Sequence, residues 1–258
     1  MNNKSFRFKS EFLSNSNRFR DNILFCIALF SVFLFSGCSS ESPKDVNQAA
    51  SDLIDINNTN INKVNMFDGK SLGQWQISDF YKPGKVYIKD GTIYIEKSAN
   101  AGFMQGINWT GPLVKMNYEI TLEAMRVDGE DFFCGLTFPV NESFCTLILG
   151  GWGGTLCGLS SLDGYDASEN ETTTFVDFKN NQWYKVRLRV TENRIQAWVD
   201  YELLIDADIT DKIIDIRIEC LPCLPLGIAT YQTTAAIRNI KLQKIEDIAN
   251  SDLNLQDL

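Results

Sequence analysis

The chain has 258 residues and a formal charge of −9, from 24 basic and 33 acidic side chains, and it contains no histidine. The acidic balance argues against a nucleic-acid partner, which would need a basic face. Without histidine there is no Ser-His-Asp or Cys-His catalytic set and no His-ligated metal, so any acid or base must be a carboxylate, Tyr, Lys or Cys.

The first 22 residues carry five basic side chains against two acidic ones, and the apolar run "ILFCIALFSVFLF", Ile23 to Phe35, follows directly. A basic flank before an apolar core too short for a span of about 20 residues reads as a secretory signal. The core ends in "LFSGC", Leu34 to Cys38, which resembles a bacterial lipobox. That resemblance implies removal of residues 1–37 and acylation of Cys38. A lipid anchor would then hold the chain in the cell envelope, at the outer membrane or facing the periplasm. Cleavage also leaves the chain three charges more negative. Residues 38–63, rich in Ser, Asn and Asp without a sustained apolar period, read as a flexible tether, and residues 247–258 as a tail.

Between them, over residues 64–246, strand follows strand with almost no helical period. "KVYIKDGTIYIEK" alternates around an Asp-Gly hairpin signal. "NYEITLEAMRV", "FFCGLTF" and "FCTLILGG" come next, and "GEDFF" places Glu130 and Asp131 at a strand start, in solvent. A turn near Pro139 to Asn141 would set Cys134 and Cys145 opposite each other, although burial in the core is the preferred expectation for all five cysteines after Cys38. In "WYKVRLRV", Tyr184, Val186, Leu188 and Val190 share a buried face, while Trp183, Lys185, Arg187 and Arg189 share a wet one. "IQAWVD" buries Ile195, Ala197 and Val199 with Trp198 opposite, and "DIRIE" reads as a further strand with Asp215, Arg217 and Glu219 as a paired-charge face. "CLPC", Cys220 to Cys223, is half a zinc site without its other half, so no metal is expected through sulfur. Short antiparallel strands at this spacing predict an all-β sandwich of two antiparallel sheets.

Three stretches together resemble one family. "MFDGKSLGQWQI" (Met66 to Ile77), "WYKVRLRVTENRIQAWVDYELLID" (Trp183 to Asp206) and "PLGIATYQTTAAIRNIKLQKI" (Pro225 to Ile245) look like the opening, late hairpin and closing strand of the bacterial 3-keto-disaccharide hydrolase domain. The resemblance implies a concanavalin A-like jelly roll, a planctomycete-type lipoprotein and glycoside cleavage. The opening Asp-Gly and closing Arg238-Asn239 are expected to hold turns and strand ends. Two departures stand out. "VDYELLID" replaces the usual Asn-Gly turn, and "GIATYQTTAAIRNI" lacks the family's His-Gly, so no histidine-dependent chemistry carries over. Tyr231 and Gln232 fall in the family's polar segment before the last strand, which makes them candidates for a sugar groove.

The densest chemistry lies in "GGWGGTLCGLSSLDGYDASENETTTF", Gly150 to Phe175. Glycines around Trp152 would leave its ring uncovered as a sugar platform, with Tyr165 nearby. Asp163, Asp166 and Glu169 are candidate acid and base groups, because crowded carboxylates split their pKa values. The same oxygens could hold Ca²⁺, which takes about six to eight oxygen ligands, or simply cap turns in a hydrated loop. The expectation is a carbohydrate-binding lipoprotein that cleaves a glycosidic bond in a (3-keto) disaccharide or related glycoside. A non-catalytic lectin-like module and a calcium-stabilised adhesion domain are the alternatives.

Overall fold

Alternating apolar side chains build the strands, and turn residues with positive φ join them. The computed structural model describes residues 63–99 and 102–245. The expected signal segment, Cys38, the tether up to residue 62 and the tail lie outside them.

In chain order the strands are β1 (Lys63–Asn65), β2 (Trp75–Ile77), β3 (Val86–Lys89), β4 (Thr92–Ile95), β5 (Met104–Trp109) and β6 (Tyr118–Gly129). They continue with β7 (Cys134–Val140), β8 (Ser143–Gly151), β9 (Leu156–Ser160), β10 (Thr174–Phe175) and β11 (Trp183–Thr191). Then come β12 (Arg194–Val199), β13 (Glu202–Asp208), a 3-10 helix (Ile218–Cys223), β14 (Gly227–Tyr231) and β15 (Thr233–Lys244). One sheet runs β13-β12-β11-β6-β15-β4-β3 with β1 beside β15, and the other runs β10-β9-β8-β7-β14-β5-β2. The chain crosses between them at β1–β2, β2–β3, β4–β5, β5–β6, β6–β7, β10–β11, β13–β14 and β14–β15, which makes the expected two-sheet jelly roll.

The core lies between the inner faces. Val186 pairs with Leu122 and Leu188 with Ile120 across β11 and β6. From the other sheet Leu136, Phe138, Leu147, Leu159 and Ile228 face them, all fully buried. The wet face of β11 carries its charges against neighbours: Arg187 lies 3.7 Å above the Trp198 ring, and Arg189 reaches Glu119 at 3.0 Å.

The family-like motifs are scaffold. Asp68 accepts the backbone N–H groups of Lys70 and Ser71 at 2.8 and 2.9 Å, closing the opening turn. Arg238 and Asn239 both donate to Glu123 on β6 at 2.8 Å, at a break in the β15 register. The β3–β4 turn has positive φ at Asp90 and Gly91, as an Asp-Gly hairpin requires. The β12–β13 turn reaches the same backbone with Asp200 and Tyr201.

Two expectations change. Cys134 pairs with Leu149 and Cys145 with Phe138, because the β7–β8 turn falls at Asn141–Glu142 rather than around Pro139, so the two cysteines are not opposite. "DIRIE" is not a strand. Its start pairs briefly with the chain at Ser161, Asp215 accepting the Ser161 N–H at 2.8 Å. The next residues coil into the 3-10 helix, where Pro222 has no N–H for a ladder and Cys220 and Cys223 turn inward.

Candidate functional site

The outer face of the β10–β2 sheet is low at its centre because small residues occupy it: Gly106 on β5, Gly135 on β7 and Ala229 on β14. A Cβ on Gly106 would lie 2.8 Å from the Ile228 carbonyl oxygen, and one on Gly135 would lie 3.0 Å from the Phe132 ring. Rings therefore rest directly on the sheet and enclose a cavity of about 560 Å³, within the roughly 300–1,000 Å³ usual for small-molecule sites. One wall, beside β5, is Phe80, Tyr81, Phe103 and Met104, with Tyr81 and Phe103 edge to face at 5.0 Å. Phe132 and Tyr231 stack in the middle at 6.0 Å. The rest of the lining includes Asp131 and Trp152, Ser160 of β9, and Arg217, Glu219 and Cys220 of the segment that crosses this face.

The Trp152 turn is built for display. Gly150, Trp152, Gly153 and Gly154 all have positive φ, and the ring is 46% exposed. Two groups hold the turn. The Asp131 carboxylate accepts the Phe132 N–H at 2.8 Å and the Gly153 N–H at 3.3 Å. From beneath, the buried Arg126 guanidinium donates to the Gly154 carbonyl at 3.0 Å, to Asn180 Oδ1 at 2.7 Å and to the Phe178 carbonyl.

The acidic loop behaves differently. Asp163 accepts the Ile213 N–H and the Lys212 ammonium, both at 2.9 Å, and these bonds hold its carboxyl below the usual range. Lys212 also reaches Glu171 at 2.7 Å. Asp166 accepts the Ser168 N–H and hydroxyl through one oxygen and Arg217, at 2.7 Å, through the other. Asn170 ties the loop together by donating to the carbonyls of Leu159 and Asp166 at 2.7 and 2.8 Å. Glu169 points to solvent. Among the described residues no three acidic or cysteine side chains are grouped to hold a metal.

Of the residues singled out from the sequence, the fold places Trp152 and Tyr231 in one cavity, and Gln232 donates to the Tyr231 hydroxyl at 3.2 Å. Asp166 meets the cavity only through Arg217, while Asp163, Tyr165 and Glu169 lie off its lining. Sequence reasoning missed Asp131, Phe132, Ser160 and the Phe80–Phe103 wall. "DFYKPG" and "AGFM" each put aromatics beside a glycine, but only the sandwich brings the two together.

Chemically, the cavity lining holds four ionised or ionisable groups besides its tyrosines: Asp131, Arg217, Glu219 and Cys220. Arg217 binds Glu219 at 3.1 Å and keeps its carboxyl below the usual range, so Glu219 is a poor proton donor. Burial pushes the Cys220 thiol up, which leaves it protonated and unreactive. Asp131 has no cationic partner among the described residues; its carboxylate meets backbone N–H groups and the cavity.

The 3-keto-alpha-glucoside-1,2-lyase-like domain matches residues 62–243. No curated protein sequence matches the chain. Among solved structures, the Crh5 transglycosylase in complex with NAG superposes with a TM-score of 0.51 at 9% identity, over 72% of this chain and 85% of that one. A native glycosidic hydrolase gives 0.48 at 8% identity, over 72% and 98%. The carbohydrate-binding module CBM66 from Bacillus subtilis gives 0.40 at 12%, over 66% and 96%. At these identities the likeness to the transglycosylase is one of fold.

Proposed function

The chain belongs to the family of 3-keto-alpha-glucoside-1,2-lyase-like domains, and we propose that it binds a 3-keto disaccharide or related glycoside in the aromatic cavity and cleaves its glycosidic bond. The observation that carries this reading is the cavity itself, in which Trp152, Tyr231 and Phe132 offer ring faces for a pyranose beside one carboxylate without an ion-pair partner. The ketone at C3 acidifies the proton at C2. A single base, Asp131, then suffices: it takes the C2 proton, the C–H electron pair becomes the C1–C2 double bond, and the C1–O bond breaks. The departing oxygen takes a proton from water, and later addition of water to the double bond makes the overall result a hydrolysis. No paired acid and base at fixed separation is needed, in contrast to ordinary glycoside hydrolysis. The lipoprotein reading from "LFSGC" belongs to the same proposal, and it puts this reaction in the cell envelope.

A second reading is a non-catalytic carbohydrate-binding module. It is favoured by the sheet itself, whose outward residues under the cavity, Gly135, Thr146, Ile148, Ser160 and Ala229, include no carboxylate. Assay of the full-length chain with 3-keto and ordinary disaccharides separates the two. Release of monosaccharide from the oxidised sugars alone supports cleavage, whereas binding without turnover makes the domain a lectin-like module.

A further inference from the structure

Across β7, β8 and β9 the outer face carries a row of hydroxyls: Thr137 pairs with Thr146, and Thr146 with Ser160. The first two satisfy each other, their oxygens 2.9 Å apart. Ser160 is left over. It is 0% exposed, its Oγ has no hydrogen-bond partner in the protein, and it lines the cavity. A buried hydroxyl without a partner destabilises the free protein, and native structures rarely keep one. This one faces the space where a ligand would lie. Thr230 Oγ1 is similarly buried and unpartnered, but it lies on the core side of β14, outside the cavity lining, and so serves as an internal control.

The walls on either side differ in kind. The lining on the β8–β9 side also carries Arg217 and Glu219, and Arg217 is already bound to both Asp166 and Glu219. That wall suits neutral oxygens and has no spare cation for an acidic sugar. The β5 wall of Phe80, Phe103 and Met104 carries no side-chain hydrogen-bonding group apart from the hydroxyl of Tyr81. A group rich in hydroxyls pressed against it would lose hydrogen bonds to water and regain few.

Resting on the carbohydrate reading above, we infer that Ser160 is the hydrogen-bond anchor of the sugar ring. It holds a neutral keto-sugar over β8 and β9 and sends the leaving group, preferably an aromatic or otherwise apolar one, over Phe80, Tyr81 and Phe103. Ser160 is thus a binding and orienting residue, and the base that removes the proton is a separate group.

The test titrates the full-length chain with methyl and phenyl 3-keto-α-glucosides, reading Kd, or kcat/KM where the ligand is turned over. Ser160→Ala should weaken both ligands by about tenfold, the effect of one lost hydrogen bond, with Tm unchanged or raised. Thr230→Val should raise Tm and leave affinity alone. Phe103→Ala should cost the phenyl ligand several-fold more than the methyl ligand. Wild-type affinity in Ser160→Ala overturns the anchor while the carbohydrate reading stands. Loss of affinity together with a lower Tm makes Ser160 structural and also overturns it. Equal losses for both ligands in Phe103→Ala overturn the orientation. If the wild-type chain binds neither glycoside, the carbohydrate reading falls and this inference with it.

Discussion

The acidic loop, residues 163–171, and the cavity wall around Asp131 both offer carboxylates, yet the fold uses them in opposite ways. In the loop three of the four carboxylates are matched: Asp163 and Glu171 share Lys212, and Asp166 is divided between Ser168 and Arg217, while Glu169 points to solvent off the cavity lining. Asp131 sits alone in a short turn, and its oxygens meet backbone N–H groups and open cavity. A dense run of charge collects partners as the chain compacts, and what it gains is a fixed loop. Asp131 is left without a cation and beside the cavity, which is what the proposed base requires.

The sharpest way to break this comparison is to neutralise one member on each side. Asp131→Asn should lower turnover of a 3-keto glucoside by roughly 10²- to 10⁴-fold, the usual contribution of a general base, with binding affinity changed much less. Glu169→Gln, in the loop, should leave turnover within about twofold of wild type. If the loop variant proves the more damaging in initial-rate assays, the assignment of base is reversed.

A second cut separates the supports of the two regions. Arg126 is buried and met by three neutral oxygens, so Arg126→Met strands the carbonyls of Gly154 and Phe178. The expected loss is about 3 kcal/mol or more of stability, measured by urea denaturation, with weaker glycoside binding as the Trp152 turn loosens. Smaller again is Trp152→Ala. Trp152 is half exposed, so Tm should hold while glycoside affinity falls by about tenfold. A fall in Tm without a change in affinity would make the ring a packing residue.

The two-sheet architecture was legible because strand period and burial coincide. Each buried residue expected in "WYKVRLRV" and "IQAWVD" is buried, since every second side chain on an inner face must leave water. The cavity was half legible. Trp152 announced itself by its glycines, and Tyr231 by its place in the family pattern. Asp131 did not, because an acidic pair at a strand start, Glu130 and Asp131, looks like any solvated turn. Ser160 gave no signal either: its unpaired state depends on Thr146, its neighbour on β8, pairing instead with Thr137 on β7. "DIRIE" misled through its alternation, which Pro222 and the inward pull of Cys220 override.

The smallest expected effect tests the loop as scaffold. Asp163, held chiefly by the Ile213 N–H and then by Lys212, and Glu171, held chiefly by Lys212, both titrate below their ordinary values of 3.8 and 4.5. A depressed carboxyl stabilises the fold above its unfolded pKa, and that contribution is lost as pH falls through the folded value. Lys212 is raised, first by Glu171 and then by Asp163, so its share is present below the ordinary lysine value and lost only at a higher pH. Lys212→Met should therefore be slightly less stable than wild type at neutral pH, by a modest amount because these groups are open to solvent. The two melting curves should converge once the pH falls below the depressed carboxyl values and the partners of Lys212 protonate. Turnover at neutral pH should not change, because the loop carboxylates are spent on holding the loop. A variant that keeps its Tm and loses turnover would instead join the acidic loop to the chemistry of the cavity.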